Sequence, residues 1–165
     1  MIIYGSAAIV LLLFLIAPIR GRTLRRLERL VPGSVAFTIS NRKVFGEALA
    51  LVAAGTPLGV RATGLTAAPC VTADTLGVTF WDNTPLERIG SLDWGRIASL
   101  EASELQTPYR RWSASAILLH VAVGSATVTV PLLSPNGTRG MSGSRRESEF
   151  LLRQLEALRT TSVDA

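Results

Sequence analysis

Apolar and polar positions change rhythm several times along this chain, and each rhythm predicts a different element. From Ile2 to Ile19 there is no charge, and only Tyr4, Gly5, Ser6 and Pro18 interrupt the apolar run. Eighteen helical residues reach about 27 Å, close to the hydrocarbon thickness of a bilayer, which predicts a transmembrane helix over residues 1–19. A helical period follows. Leu24, Leu27 and Val31 recur at i, i+3 and i+7, with Arg25, Arg26, Glu28 and Arg29 on other faces. That pattern predicts a short amphipathic helix suited to a membrane surface, closed by a turn at Pro32–Gly33.

The period then drops to two. Val35, Phe37 and Ile39 predict a strand, and Asn41 caps a helix from Arg42 to Ala54 whose apolar face reads as Val44, Ala48, Leu51 and Val52. Residues 58–68 allow a short strand around Val60–Thr63. From Pro69 onward the chain reads as antiparallel β. "CVTA" and "GVTFW" are joined by a turn at Asp74–Leu76, "DNTP" at 82–85 is a further turn signal, and strands follow at Glu87–Leu92 and Ala98–Leu105. The clearest hairpin alternates Ile117, Leu119, Val121 and Val123, turns at Gly124–Ser125, and alternates back through Ala126, Val128, Val130 and Leu132. A Gly-rich loop at 134–143 precedes Ser144 and Glu147, a capping box that opens a helix to Arg159 with an apolar stripe of Phe150, Leu151, Leu155 and Leu158. The class is therefore α+β: a transmembrane helix, then a bent, mainly antiparallel sheet capped by a C-terminal amphipathic helix.

Charge sharpens the reading of the N-terminal third. Of a formal net charge of +5, a net of +4 lies in residues 20–31, from Arg20, Arg22, Arg25, Arg26 and Arg29 against Glu28. The remainder is nearly neutral, so a nucleic-acid interface, which needs its positive charge on the folded surface, is not expected. Arginines flanking a span stay on the cytoplasmic side. No basic residue precedes the apolar run, and "LIAPIRGR" lacks the small-x-small spacing of a signal-peptidase site. The expectation is an uncleaved single-pass anchor in a bacterial inner membrane, its N-terminus outside and residues 20–165 in the cytoplasm. The five arginines then set orientation, as a solvated flank, with contact to anionic lipid as a secondary role open to them. Arginine outnumbers lysine sixteen to one, a bias of high-GC, actinobacterial-type genomes. Cys70 is the only cysteine, which removes intramolecular disulfides and the usual zinc spacings.

The order of elements, together with "SLDWGRIASLEAS" at 91–103 and "TADTLGV" at 72–78, resembles bacterial pleckstrin-homology-like domains. In that family a Trp-x-x-Ile turn, matched by Trp94 and Ile97, separates two mid-sheet strands, and a T-x-D-x-x-G hairpin lies near the start. The resemblance covers residues 69–158 and implies a binding or scaffolding module of seven strands. Six are counted from Pro69, so one strand is either missed in this reading or supplied by residues 34–68. Phosphoinositide-binding members carry basic residues in the first hairpin loop, whereas Ala73–Gly77 carries Asp74 and no base.

Candidate chemistry is sparse. His120, the single histidine, falls by parity on the outer face of its strand, and no nucleophile elbow accompanies it. Asp74, Asp82 and Asp93 sit in turn sequences, with no calcium-loop or phosphate-cradling motif. No catalytic residue, metal or cofactor is therefore expected. Tyr109, Arg110, Arg111 and Trp112, between two strands, are the expected partner or ligand contacts, because aromatic and arginine side chains dominate interface hot spots. The division reads as a 1–19 anchor, a 20–33 basic juxtamembrane helix, a 34–68 strand–helix extension, a 69–159 pleckstrin-homology-like domain and a 160–165 tail. The expected partners are the bilayer and another protein, with an anionic-lipid or small-ligand sensor as the alternative function and a membrane-anchored enzyme, which would need a site not visible in the sequence, as the third.

Overall fold

A computed structural model of the chain describes residues 22–40, 42–55, 69–83, 86–106, 113–136 and 144–163. Helix α1 (22–30) leads into β1 (Val35–Ser40) and α2 (Arg42–Gly55). Strands β2 (Cys70–Ala73), β3 (Gly77–Asn83) and β4 (Leu86–Asp93) follow. A 3-10 turn at Trp94–Arg96 leads to β5 (Ile97–Gln106), β6 (Ser113–Val123) and β7 (Ala126–Asn136), and α3 (Arg145–Val163) ends the described chain. The seven strands form one sheet in the order β4-β3-β2-β1-β7-β6-β5, and every neighbouring pair is antiparallel. The α+β class, the antiparallel sheet and the C-terminal helix are as expected. Among the described residues no helix is long and apolar enough to cross a membrane; the expected span at 1–19 lies outside them, as does the short strand at Val60–Thr63.

The order of the strands dictates curvature. β4 and β5 are the two edges, yet only the three residues Trp94–Arg96 separate them. A flat sheet of seven strands would hold its edges about 29 Å apart at the usual interstrand spacing, whereas so short a connection reaches only about 14 Å. The sheet must therefore bend round on itself. Phe45 of α2 meets Phe80 of β3 at a centroid distance of 5.3 Å while α2 also packs along β7. One helix thus touches both arms of the curve.

The concave side is the core. Phe37, Val71, Val78, Phe80, Ile117, Leu119, Val130 and Leu132 face it from the strands, Phe45, Leu49 and Val52 from α2, and Leu151 and Leu155 from α3. β1 lies at the centre of the sheet between β2 and β7. Of the two alternatives left by the sequence, the seventh strand comes from residues 34–68, and its position puts residues 35–55 in the same core as the strands after Cys70. Two helix faces differ from the periodicity reading. α2 buries Phe45, Ala48, Leu49 and Val52, while Leu51 is exposed. α3 buries Leu151 and Leu155 and leaves Phe150 exposed, and it runs four residues beyond Arg159. Both helices are apolar over a wider arc than they bury, and the neighbouring strands decide which part of the arc is used.

Candidate functional site

Helix α1 carries the expected membrane-surface residues, and its leucines do something the sequence alone does not reveal. Leu24 and Leu27 are fully buried against Ala36, Cys70, Trp81 and Leu86 on the convex side of the sheet. These two leucines of the amphipathic stripe are consumed by the protein itself rather than by a lipid surface. The side chain of Trp81, which packs against this cluster, donates its indole N–H to Thr72 Oγ1 at 2.8 Å. Arg22, Arg25, Arg26 and Arg29 fall at i, i+3, i+4 and i+7 and are exposed. At 3.6 residues per turn they form one stripe opposite the leucines. The helix is thus a two-sided spacer: apolar toward the sheet, guanidinium outward. Arg20 lies outside the described residues.

The two sequence features at 72–78 and 94–97 meet in space. Asp74 Oδ1 accepts the backbone N–H groups of Leu76 (2.8 Å) and Gly77 (3.2 Å), folding the β2–β3 hairpin into an Asx turn. The buried Trp94 then donates its indole N–H to the Asp74 carbonyl at 2.8 Å, while Ile97 seats in the core. Gly77 is required there, because a Cβ would stand 2.1 Å from the Leu92 carbonyl oxygen. The hairpin is pinned to the β4–β5 turn, and its carboxylate is occupied by the chain's own amides.

His120 does lie on the convex face. Its Nδ1 is 3.1 Å from Thr129 Oγ1, and its Nε2 is 3.6 Å from a Glu101 carboxylate oxygen. Asp82 lies within β3 and Asp93 ends β4. Among the described residues no three histidine, cysteine or acidic side chains converge. Tyr109, Arg110, Arg111 and Trp112 lie outside the described residues, as do 137–143 of the Gly-rich loop.

Two concave places stand out among the described residues. One, of about 320 Å³, runs between Val31 after α1 and the β2–β3 hairpin and includes Leu76, Trp81 and Arg88. The other, of about 300 Å³, lies where the start of α3 crosses β5 and β6; it is lined by Ser103, Glu104, Arg145, Ser148 and Glu149, among others. Its chemistry is unusual for this otherwise bland surface. Ser148 is 1% exposed, and its hydroxyl has no hydrogen-bond partner. A helical serine ordinarily satisfies itself on the carbonyl four residues back. Here that carbonyl, on Ser144, already accepts the N–H groups of Glu147 and Ser148, each at 3.0 Å. An unpaired buried hydroxyl costs about 1–3 kcal/mol, which a donor reaching it would offset. At the rim, Arg145 Nε donates to Glu149 Oε1 at 2.9 Å, and Glu149 followed by Glu104 raises the Arg145 pKa above its ordinary value. The sequence marked Ser144 and Glu147 as a capping box, and Ser144 Oγ does accept from Glu147 N at 3.3 Å. Nothing in the linear pattern distinguished Ser148 or Glu104, because the cavity exists only once α3 lies across β5. No protein-family model, curated protein or solved structure matches this chain.

Proposed function

We propose that this protein is a single-pass membrane-anchored accessory or scaffold protein whose pleckstrin-homology-like domain, in the cytoplasm, binds another protein. The observation that carries this reading is the docking of α1. The helix that follows the apolar segment is not a loose tether, since Leu24 and Leu27 fasten it to the sheet. An anchor joined in this way holds the domain at a defined height and orientation beside the bilayer, a property that serves assembly with a neighbouring membrane-bound partner. The seven antiparallel strands followed by a C-terminal helix support the resemblance to pleckstrin-homology-like domains, although the Trp94–Ile97 turn joins the two edge strands rather than two mid-sheet strands. Binding rather than bond-making chemistry is the activity proposed, as an inner-membrane subunit of a larger complex.

The exposed stripe of Arg22, Arg25, Arg26 and Arg29 favours a second, compatible role in which the same helix rests its outer face on anionic lipid. Each guanidinium near such a leaflet contributes about 1 kcal/mol. Two measurements on the full chain test the reading together. Protease added outside intact cells should spare residues 20–165, and crosslinking in cells followed by purification in mild detergent should return one stoichiometric protein. External cleavage of the domain, or purification without a stoichiometric partner, refutes it.

A further inference from the structure

We propose that the cavity between β5, β6 and the first turns of α3 is a cation-recognition site that takes the guanidinium or ammonium group of a basic side chain. Within the reading above, that side chain belongs to the protein partner, so this step deepens the proposal of a binding domain and rests on it. Two independent observations meet here. The first is charge: the lining places two carboxylates, Glu104 and Glu149, against one guanidinium, Arg145. Arg145 is already held by Glu149 at 2.9 Å. No ion pair with a described residue engages Glu104 beyond its field on Arg145. The second is the Ser148 hydroxyl, buried and unpartnered, on a residue that lines the cavity. A serine hydroxyl turns about a single bond and offers an acceptor to any N–H donor that arrives.

An anion is the obvious rival for a helix start, but the geometry opposes it. The Glu147 N–H of the first turn is already taken by Ser144, and the Ser148 N–H closes the ordinary helical bond to the same carbonyl. Among the described lining residues the one guanidinium is held by its own helix neighbour, and the surplus charge is negative. A planar guanidinium donates in several directions at once, so one such group can reach a carboxylate and a hydroxyl together. About 300 Å³ is ample for the head of one arginine side chain. Glu104 also sits opposite Ser115 in the β5–β6 register, which roots its side chain on a regular strand rather than a loop.

The test uses the full chain in detergent micelles. Backbone amide NMR shifts are followed while Nα-acetyl-arginine methylamide, its neutral citrulline counterpart and inorganic phosphate are titrated separately across the millimolar range. The arginine probe should give saturable shifts at Ser103, Glu104, Ser148 and Glu149, and citrulline and phosphate should not. Glu104→Gln should weaken binding about threefold to tenfold, the loss of one charge-assisted contact at a partly solvated rim. Ser148→Ala should weaken binding while raising the thermal midpoint of the probe-free chain, because it removes a buried hydroxyl that has no partner. A merely structural serine would lower that midpoint instead. Absence of saturable shifts with arginine, equal shifts with citrulline, or phosphate acting on the same residues overturns the assignment. A partner that co-purifies equally well with the Glu104→Gln and Ser148→Ala variants, in a chain that ignores the arginine probe, overturns this site and leaves the binding-domain reading standing. Arginine binding without any co-purifying protein does the reverse.

Discussion

Truncating Leu27 to alanine isolates the contact on which the membrane-proximal arrangement depends. The side chain is fully buried in a satellite cluster of Leu24, Ala36 and Cys70, with half-buried Trp81 and Leu86 packed around it. A buried Leu→Ala change costs about 2–5 kcal/mol. The lower part of that range applies here, because a nine-residue helix at the periphery can settle inward over a partly exposed tryptophan. An expectation of about 2–3 kcal/mol corresponds to a drop of roughly 5–12 °C in thermal midpoint for a domain of this size. The helix can also leave the sheet without global unfolding, which caps the global loss at the free energy of docking. In that case the indole of Trp81 becomes solvated, and its fluorescence shifts to the red below the main transition. The assay is therefore thermal unfolding of the full chain in micelles, followed by circular dichroism and tryptophan emission, with Leu30→Ala as control. Leu30 is 57% exposed, and its truncation should stay within about 0.5 kcal/mol. If Leu27→Ala neither lowers the midpoint nor shifts the emission, α1 does not hold the domain, and the argument for a fixed orientation fails with it.

The two faces of α2 separate cleanly by mutation: Phe45→Ala should cost about 3–5 kcal/mol in chemical denaturation, whereas Leu51→Ala, on the exposed side, should cost less than about 0.5 kcal/mol. Gly77→Ala should destabilise by about 2 kcal/mol or more, because its Cβ meets the Leu92 carbonyl oxygen and the β3–β4 pairing must shift; an unfolding midpoint equal to that of the parent would show the contact to be harmless. Trp94→Phe keeps the buried ring but removes the indole donor to Asp74, and it should cost about 1–3 kcal/mol on the same measure.

Much of this protein is decided locally and was legible in the sequence. The period-two runs mark β1, β2, β3, β6 and β7, Gly124 turns the last hairpin at positive φ, and the Ser144 box begins α3. In each, a side-chain alternation or a turn residue acts over a few neighbours, so linear order suffices. The Asp74 turn is also local, while its attachment to Trp94, twenty residues on, is not. What only the tertiary structure decided involves choices between surfaces that look alike along the chain. α2 offers two overlapping apolar arcs sharing Ala48 and Val52, and the position of Phe80 on a distant strand selects the one with Phe45 and Leu49. The leucines of α1 could equally have faced lipid or protein, and the apolar patch of Ala36, Cys70 and Trp81 claims them. The cavity beneath α3 brings Glu104 beside Ser148 although 44 positions separate them in the chain. Periodicity shows that an element has an apolar side; which neighbour covers that side, and which polar groups are left without one, is determined by how the bent sheet brings remote strands together.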